Sequence, residues 1–96
     1  MALPAQVKIG LITYDITYDP RCAADSLLGR IALLEGKIEI RPDMSPTVER
    51  ITLWHEIMHG ILFQVGIKEH EERVLDALAH GILQLIEDNP ALVGKE

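Results

Sequence analysis

Residues 45–66 read SPTVERITLWHEIMHGILFQVG, and the reading of this stretch decides the fold of the chain. Ser45 followed by Pro46 marks a helix start, because serine can accept an unpaired backbone N–H and proline at the first helical position has no N–H to leave unpaired. Gly66 supplies the stop. Between them Val48, Ile51, Leu53, Trp54, Ile57, Met58, Ile61, Leu62, Phe63 and Val65 leave almost no polar face, so the helix predicted over Pro46 to Val65 is a buried one.

Into this apolar run are set His55-Glu56-Ile57-Met58-His59, the pattern HExxH. On a helix, positions i and i+4 differ by about 40° of rotation and roughly 6 Å of rise, so both imidazoles leave one face and can converge on one metal ion. Glu56 stands about 100° round, where it cannot easily join the two ligands but can reach a water in an open coordination position. Unpartnered polar groups in a buried helix cost about 1 to 3 kcal/mol each. A metal ion would partner all three, and the competing reading is a pair of core histidines satisfied by hydrogen bonds.

The chain of 96 residues, 48% hydrophobic and 25% charged, fits one globular domain spanning 1–96. A net charge of -6 with no basic cluster argues against a nucleic-acid partner. No stretch of about 18 apolar residues is present, so no membrane span is expected, and Met-Ala-Leu-Pro-Ala-Gln does not read as a secretory signal. Cys22 stands alone, which excludes an internal disulfide and reads as an inert loop residue. A cytoplasmic location is the expectation.

Before the helix, Val7 to Tyr18 is rich in β-branched and aromatic residues, with Gly10 at a turn or bulge, and Tyr14, Ile16 and Tyr18 alternate with polar neighbours as in one half-buried strand. Arg21 to Ser26 reads as a loop or a single helical turn. Gly29 to Leu34 and Lys37 to Arg41 form a hairpin through Glu35-Gly36, and the alternation of Ile38 and Ile40 with Lys37, Glu39 and Arg41 makes the second of these a half-exposed edge strand, able to accept an extended peptide. After the buried helix a second one is predicted from Glu69 to Asp88, with Glu69, Glu71 and Glu72 in its first turn and Asn89-Pro90 as the stop. The fold class is thus α+β: a small antiparallel sheet of about three strands followed by two long helices.

Two histidines do not hold a catalytic zinc ion, so a third protein ligand is needed. The apolar stripe of the second helix, Val74, Leu75, Leu78, Ala79, Ile82, Leu85 and Ile86, is bordered by Glu72 and Asp76, one turn apart on the same side. Glu72 is placed to ligate, and Asp76 to accept the remaining N–H of a ligating histidine. The alternative ligand is His80, about 12 Å further along the axis, should the helices cross at another level. His70, at the start of the helix, reads as solvent-facing.

Leu53 to Leu62 with the motif at its centre, followed after a short connector by Glu72 to Asp76 and more loosely by Ala77 to Gly81, resembles the gluzincin group of zinc metallopeptidases, and more closely its compact ImmA/IrrE-like members found in phage and prophage genomes. The resemblance spans about Ile31 to Pro90. It implies one zinc ion on His55, His59 and Glu72, Glu56 as general base, a sheet edge beside the cleft that holds an extended substrate, and a protein or peptide substrate that could be a regulatory protein such as a repressor. The connector from His59 to Glu72 is shorter than in the large gluzincins, and no C-terminal subdomain walls the cleft. Tyr14, Tyr18, His70 and His80 all stand as candidates for stabilising an oxyanion. The expected activity is endopeptidase hydrolysis. Two alternatives stand beside it: a non-catalytic zincin-like module that binds a protein partner, and a latent protease whose Pro20 to Ser26 loop or Ala91 to Glu96 tail covers the cleft.

Overall fold

The computed structural model describes residues 3–94. Its elements follow in the order β1 (Gln6–Ile9), β2 (Ile12–Tyr18), α1 (Arg21–Ala24), β3 (Gly29–Ala32), β4 (Lys37–Ile40), α2 (Pro46–Gln64), α3 (Glu72–Asp88) and a 3-10 turn at Pro90–Val93. The α+β class holds, but the sheet has four strands, in the order β1-β2-β4-β3, and it is mixed. The segment from Val7 to Tyr18, counted as one strand with a turn or bulge at Gly10, turns fully at Gly10-Leu11 and makes two, so that Ile9 faces Ile12 and Val7 faces Tyr14 across an antiparallel pair.

The second correction concerns the edge. β4, expected at the rim, runs parallel to β2 on one side and antiparallel to β3 on the other, so the rim beside the helices is β3. The alternation of Ile38 and Ile40 with charged residues correctly indicates one buried face, and both isoleucines have no exposed surface. That pattern reports which face is wet and not how many strands lie alongside. The Glu35-Gly36 turn between β3 and β4 forms as expected, with Gly36 at a φ of +68°.

One face of the sheet carries Ile9, Tyr14, Ile16, Ile31, Ile38 and Ile40, and it packs on Leu53 and Ile57 of α2. The opposite flank of α2 offers Met58, with Ile51, Trp54 and Leu62, to Leu75, Ala79 and Ile82 of α3. Helix α2 is therefore a middle layer, which is why its sequence is apolar nearly all round. Its start is as predicted: Ser45 Oγ accepts from the Val48 N–H at 3.2 Å, and Pro46 is the first helical residue. At its other end Gln64 Nε2 donates to the Ile9 carbonyl at 2.5 Å and so ties the helix to the β1–β2 turn.

The outer face of β3 is held by ions. Arg30 Nε donates to Glu39 Oε1 at 2.6 Å across the β3–β4 pair, while Arg21 clasps Asp19, which is nearly buried. The Arg21 side-chain and backbone hydrogen bonds hold the Asp19 carboxyl well below the usual carboxylate range. Cys22, fully buried beneath this cluster, has its thiol pushed up by burial. Among the described residues no helix is long and apolar enough to cross a membrane.

The distance between α2 and the sheet is set by glycine. A Cβ on Gly29 would lie 2.7 Å from Thr52 Cγ2 and 3.1 Å from the Glu39 carbonyl oxygen, whereas one on Gly81 in α3 would meet nothing within 4 Å. Gly29→Ala should therefore destabilise the protein by about 1 to 3 kcal/mol through overpacking. Gly81→Ala should stabilise it by up to about 1 kcal/mol through helix propensity. Urea unfolding of both variants checks the opposite signs.

Candidate metal centre

The face of α2 between the sheet and α3 carries Val48, His55, His59 and Phe63, with Thr52 at its border against β3, and these residues follow one another at helical spacing. It forms the floor of a cleft of about 970 Å³ whose one wall is β3 with Leu27 and Leu28 before it, and whose other wall is α3. Glu56 lies at the junction of floor and sheet, and only 7% of its surface is exposed.

Glu72, the first residue of α3, brings its carboxylate over the two histidines. His55 Nε2 lies 2.9 Å from Glu72 Oε1, His59 Nε2 lies 3.2 Å from Glu72 Oε2, and the two Nε2 atoms are 3.2 Å apart. These three side chains form a group that could hold a metal ion. The spacing can be tested against a metal: with bonds of about 2.0 to 2.2 Å, neighbouring ligand atoms of a tetrahedral zinc stand roughly 3.3 to 3.6 Å apart. The observed edges of 2.9 to 3.3 Å lie at the short end of that range or a few tenths of an ångström below it.

Electrostatics points the same way. A carboxylate only accepts, and a neutral imidazole has one bare nitrogen, so where that nitrogen is Nε2 the lone pairs meeting within this distance repel unless a cation sits among them. Burial lowers the His59 pKa, against the opposing pull of Glu72, and so disfavours the protonated alternative. Burial by itself would raise the Glu72 carboxyl, but the His59 and His55 rings outweigh it and hold the group below its ordinary value. His55 Nδ1 is buried and makes no aligned hydrogen bond. Its nearest acceptor is Asp76 Oδ1 at 3.2 Å, an ion-pair distance without hydrogen-bond alignment. Asp76 thus sits beside the histidine it was expected to orient.

Other expectations change. Helix α3 starts at Glu72, not Glu69, and Glu71 is its N-cap, so Glu69 and Glu71 are not in the first turn. The preceding residues are occupied otherwise: His70, expected to face solvent, stacks on His59 with ring centroids 4.8 Å apart. Its Nδ1 lies 2.5 Å from His59 Nδ1, and its Nε2 donates to the Ile67 carbonyl at 2.6 Å. The signal available in the sequence was a third histidine inside a short connector between two ligand-bearing helices. His80 stands outside the group of three, with Nδ1 donating to the Asp76 carbonyl at 2.8 Å, yet it lines the cleft. Of the four oxyanion candidates, Tyr14 is fully buried in the core and Tyr18 donates to Glu49 at 3.0 Å; neither lines the cleft. The turn at Pro90–Val93 packs on α3 and does not line the cleft either, while Ser26 does; Lys95 and Glu96 of the expected tail lie outside the described residues.

No protein-family model, curated protein or solved structure matches the chain.

Burial, with a smaller contribution from Glu72 and against the pull of His55, pushes the Glu56 carboxyl up to about 7 from an ordinary value of 4.5. Between these two pH values the folded metal-free protein keeps a proton that the unfolded chain has released, so this group's contribution to stability falls as pH rises and levels off above about 7. The loss is on the order of 3 kcal/mol. His59, with its lowered pKa, acts in the opposite direction, so the comparison must be made within one background. Metal-free Glu56→Gln should equal the wild type near pH 4.5 and exceed it in stability at pH 8, as urea unfolding at both pH values would measure.

Proposed function

We propose that this chain is a zinc-dependent endopeptidase. The observation that carries the reading is the convergence of His55 Nε2, His59 Nε2 and a Glu72 carboxylate at tetrahedral spacing, with Glu56 buried next to them. Two imidazoles and one carboxylate with an open fourth position suit catalytic zinc, where a structural site would be closed by four protein ligands. Zinc bound there would supply a Lewis acid for a peptide carbonyl and a water acidic enough to attack near neutral pH. The resemblance of the motif set to the compact ImmA/IrrE-like gluzincins supports the same assignment.

The roles of the protein groups follow from their positions. Glu56, buried beside the three donors, takes a proton from the attacking water and delivers it to the leaving amine, the double role of a general acid/base. Asp76 holds negative charge beside His55, which favours a proton on Nδ1 and frees Nε2 to ligate. His80 is the oxyanion candidate with a ring nitrogen left over after its bond to Asp76. β3 offers an unpaired strand edge along the cleft, and an extended polypeptide can pair with it through backbone hydrogen bonds. Leu27, Leu28 and Leu33 on that wall favour apolar residues near the cut.

Glu56→Gln is expected to bind zinc as tightly as the wild type and to lose hydrolysis by about 10²- to 10⁴-fold, whereas Glu72→Ala should lose the zinc itself. Elemental analysis together with cleavage of a peptide library, with and without a chelator, provides the measurement. Full zinc with no cleavage by the wild type would instead favour a binding module built on the same centre. Failure to take up zinc at all would end the enzyme reading.

A further inference from the structure

The connector between α2 and α3 does more than span a gap. Its first residues close the helix: the Gly66 N–H donates to the Phe63 carbonyl at 3.1 Å and the Ile67 N–H to the Leu62 carbonyl at 2.9 Å, with Gly66 at a φ of +90°. This is a Schellman closure, and it fixes the peptide of Ile67 against the end of the helix that carries His59. The Ile67 carbonyl then receives His70 Nε2 at 2.6 Å.

From that end the proton positions can be assigned in sequence. A carbonyl only accepts, so His70 carries its proton on Nε2, and its Nδ1 is bare when the ring is neutral. The bare Nδ1 lies 2.5 Å from His59 Nδ1, which must therefore be the N–H partner. A neutral His59 with its proton on Nδ1 has a lone pair on Nε2, the atom that faces His55 and Glu72. We propose that His70 is a positioning residue: by accepting from His59 Nδ1 it selects the tautomer of His59 and aims the Nε2 lone pair into the metal centre.

The assignment distinguishes the two histidines. His59 is stacked and bonded into a chain that ends on a fixed carbonyl, while His55 Nδ1 has only the unaligned Asp76 carboxylate near it. His59 is the pre-set donor, and His55 adjusts. The inference rests on the metal reading for its purpose, though the hydrogen-bond chain stands in the metal-free protein.

Long-range ¹H–¹⁵N correlation of the histidine rings in metal-free protein at pH 8 reads the tautomer directly. Wild-type His59 should carry its proton on Nδ1. His70→Phe keeps a ring for stacking but no acceptor and should lose that preference, while His70→Asn, whose side-chain oxygen accepts, should restore it. Zinc titration against a competing chelator should show His70→Phe weaker by about 10- to 100-fold, with most of the loss recovered in His70→Asn. A proton on Nε2 of wild-type His59, or His70→Phe binding zinc as tightly as the wild type, would overturn the proposal. Should His70→Phe fail to fold, the wild-type tautomer and the zinc affinity of His70→Asn decide it alone. Wild-type protein with the Nδ1 proton and no zinc uptake would sink the metal reading while upholding the hydrogen-bond assignment.

Discussion

The close seating of α2 on the sheet, with Thr52 against Gly29 and Gly60 beneath Ile9 and Ile31, is the contact on which the rest of the molecule depends. It places one side of the helix on β3 and β4, leaves another to α3, and opens a third as the cleft floor. Only a helix held on two flanks can present two histidines and a glutamate on its remaining side without losing them to solvent or to the core. Burying Tyr14, Ile38 or Ile40 contributes about 1.5 to 3 kcal/mol each, so a few such side chains offset the cost of burying the Glu56 carboxyl.

The same seating concentrates charge chemistry at one end of the α2–α3 interface. Three acceptor atoms approach to about the edge length of a tetrahedron and leave a position that a cation fits. The arrangement is polarised. One histidine is fixed by His70 and the turn behind it; the other stands next to an exposed carboxylate; and the third donor, Glu72, is itself largely exposed at the first residue of a helix. The centre is therefore more enclosed at its two α2 histidines than at Glu72, the donor from α3.

Much of this was legible in the sequence, for reasons that can be named. The helix bounds at Ser45-Pro46 and Gly66 were encoded by capping chemistry, which is local. The meeting of Glu72 and Asp76 with the motif was encoded by the border of an amphipathic stripe, which is local to one helix and needs only a partner to pack on. What escaped were properties that depend on neighbours. Alternation in Lys37 to Arg41 could not say that β3 would lie outside β4, and Gly10 within Val7 to Tyr18 marked a turn or bulge without deciding between one strand and two. The late start of α3 was hidden because acidic residues favour a first turn, whereas His70 lies in the connector before the helix and stacks on His59.

All three converging donors come from the α2–α3 hairpin, and the wall that faces them comes from β3 and the residues on either side of it. The two parts belong to different stretches of chain and meet only across the groove. Substitutions among Leu27, Leu28 and Leu33 reshape one bank and leave the other intact, and effects at separate positions add with little interference. The molecule is modular at the scale of a few residues: the strand bank can be altered while the helical bank that carries the three donors is left as it stands.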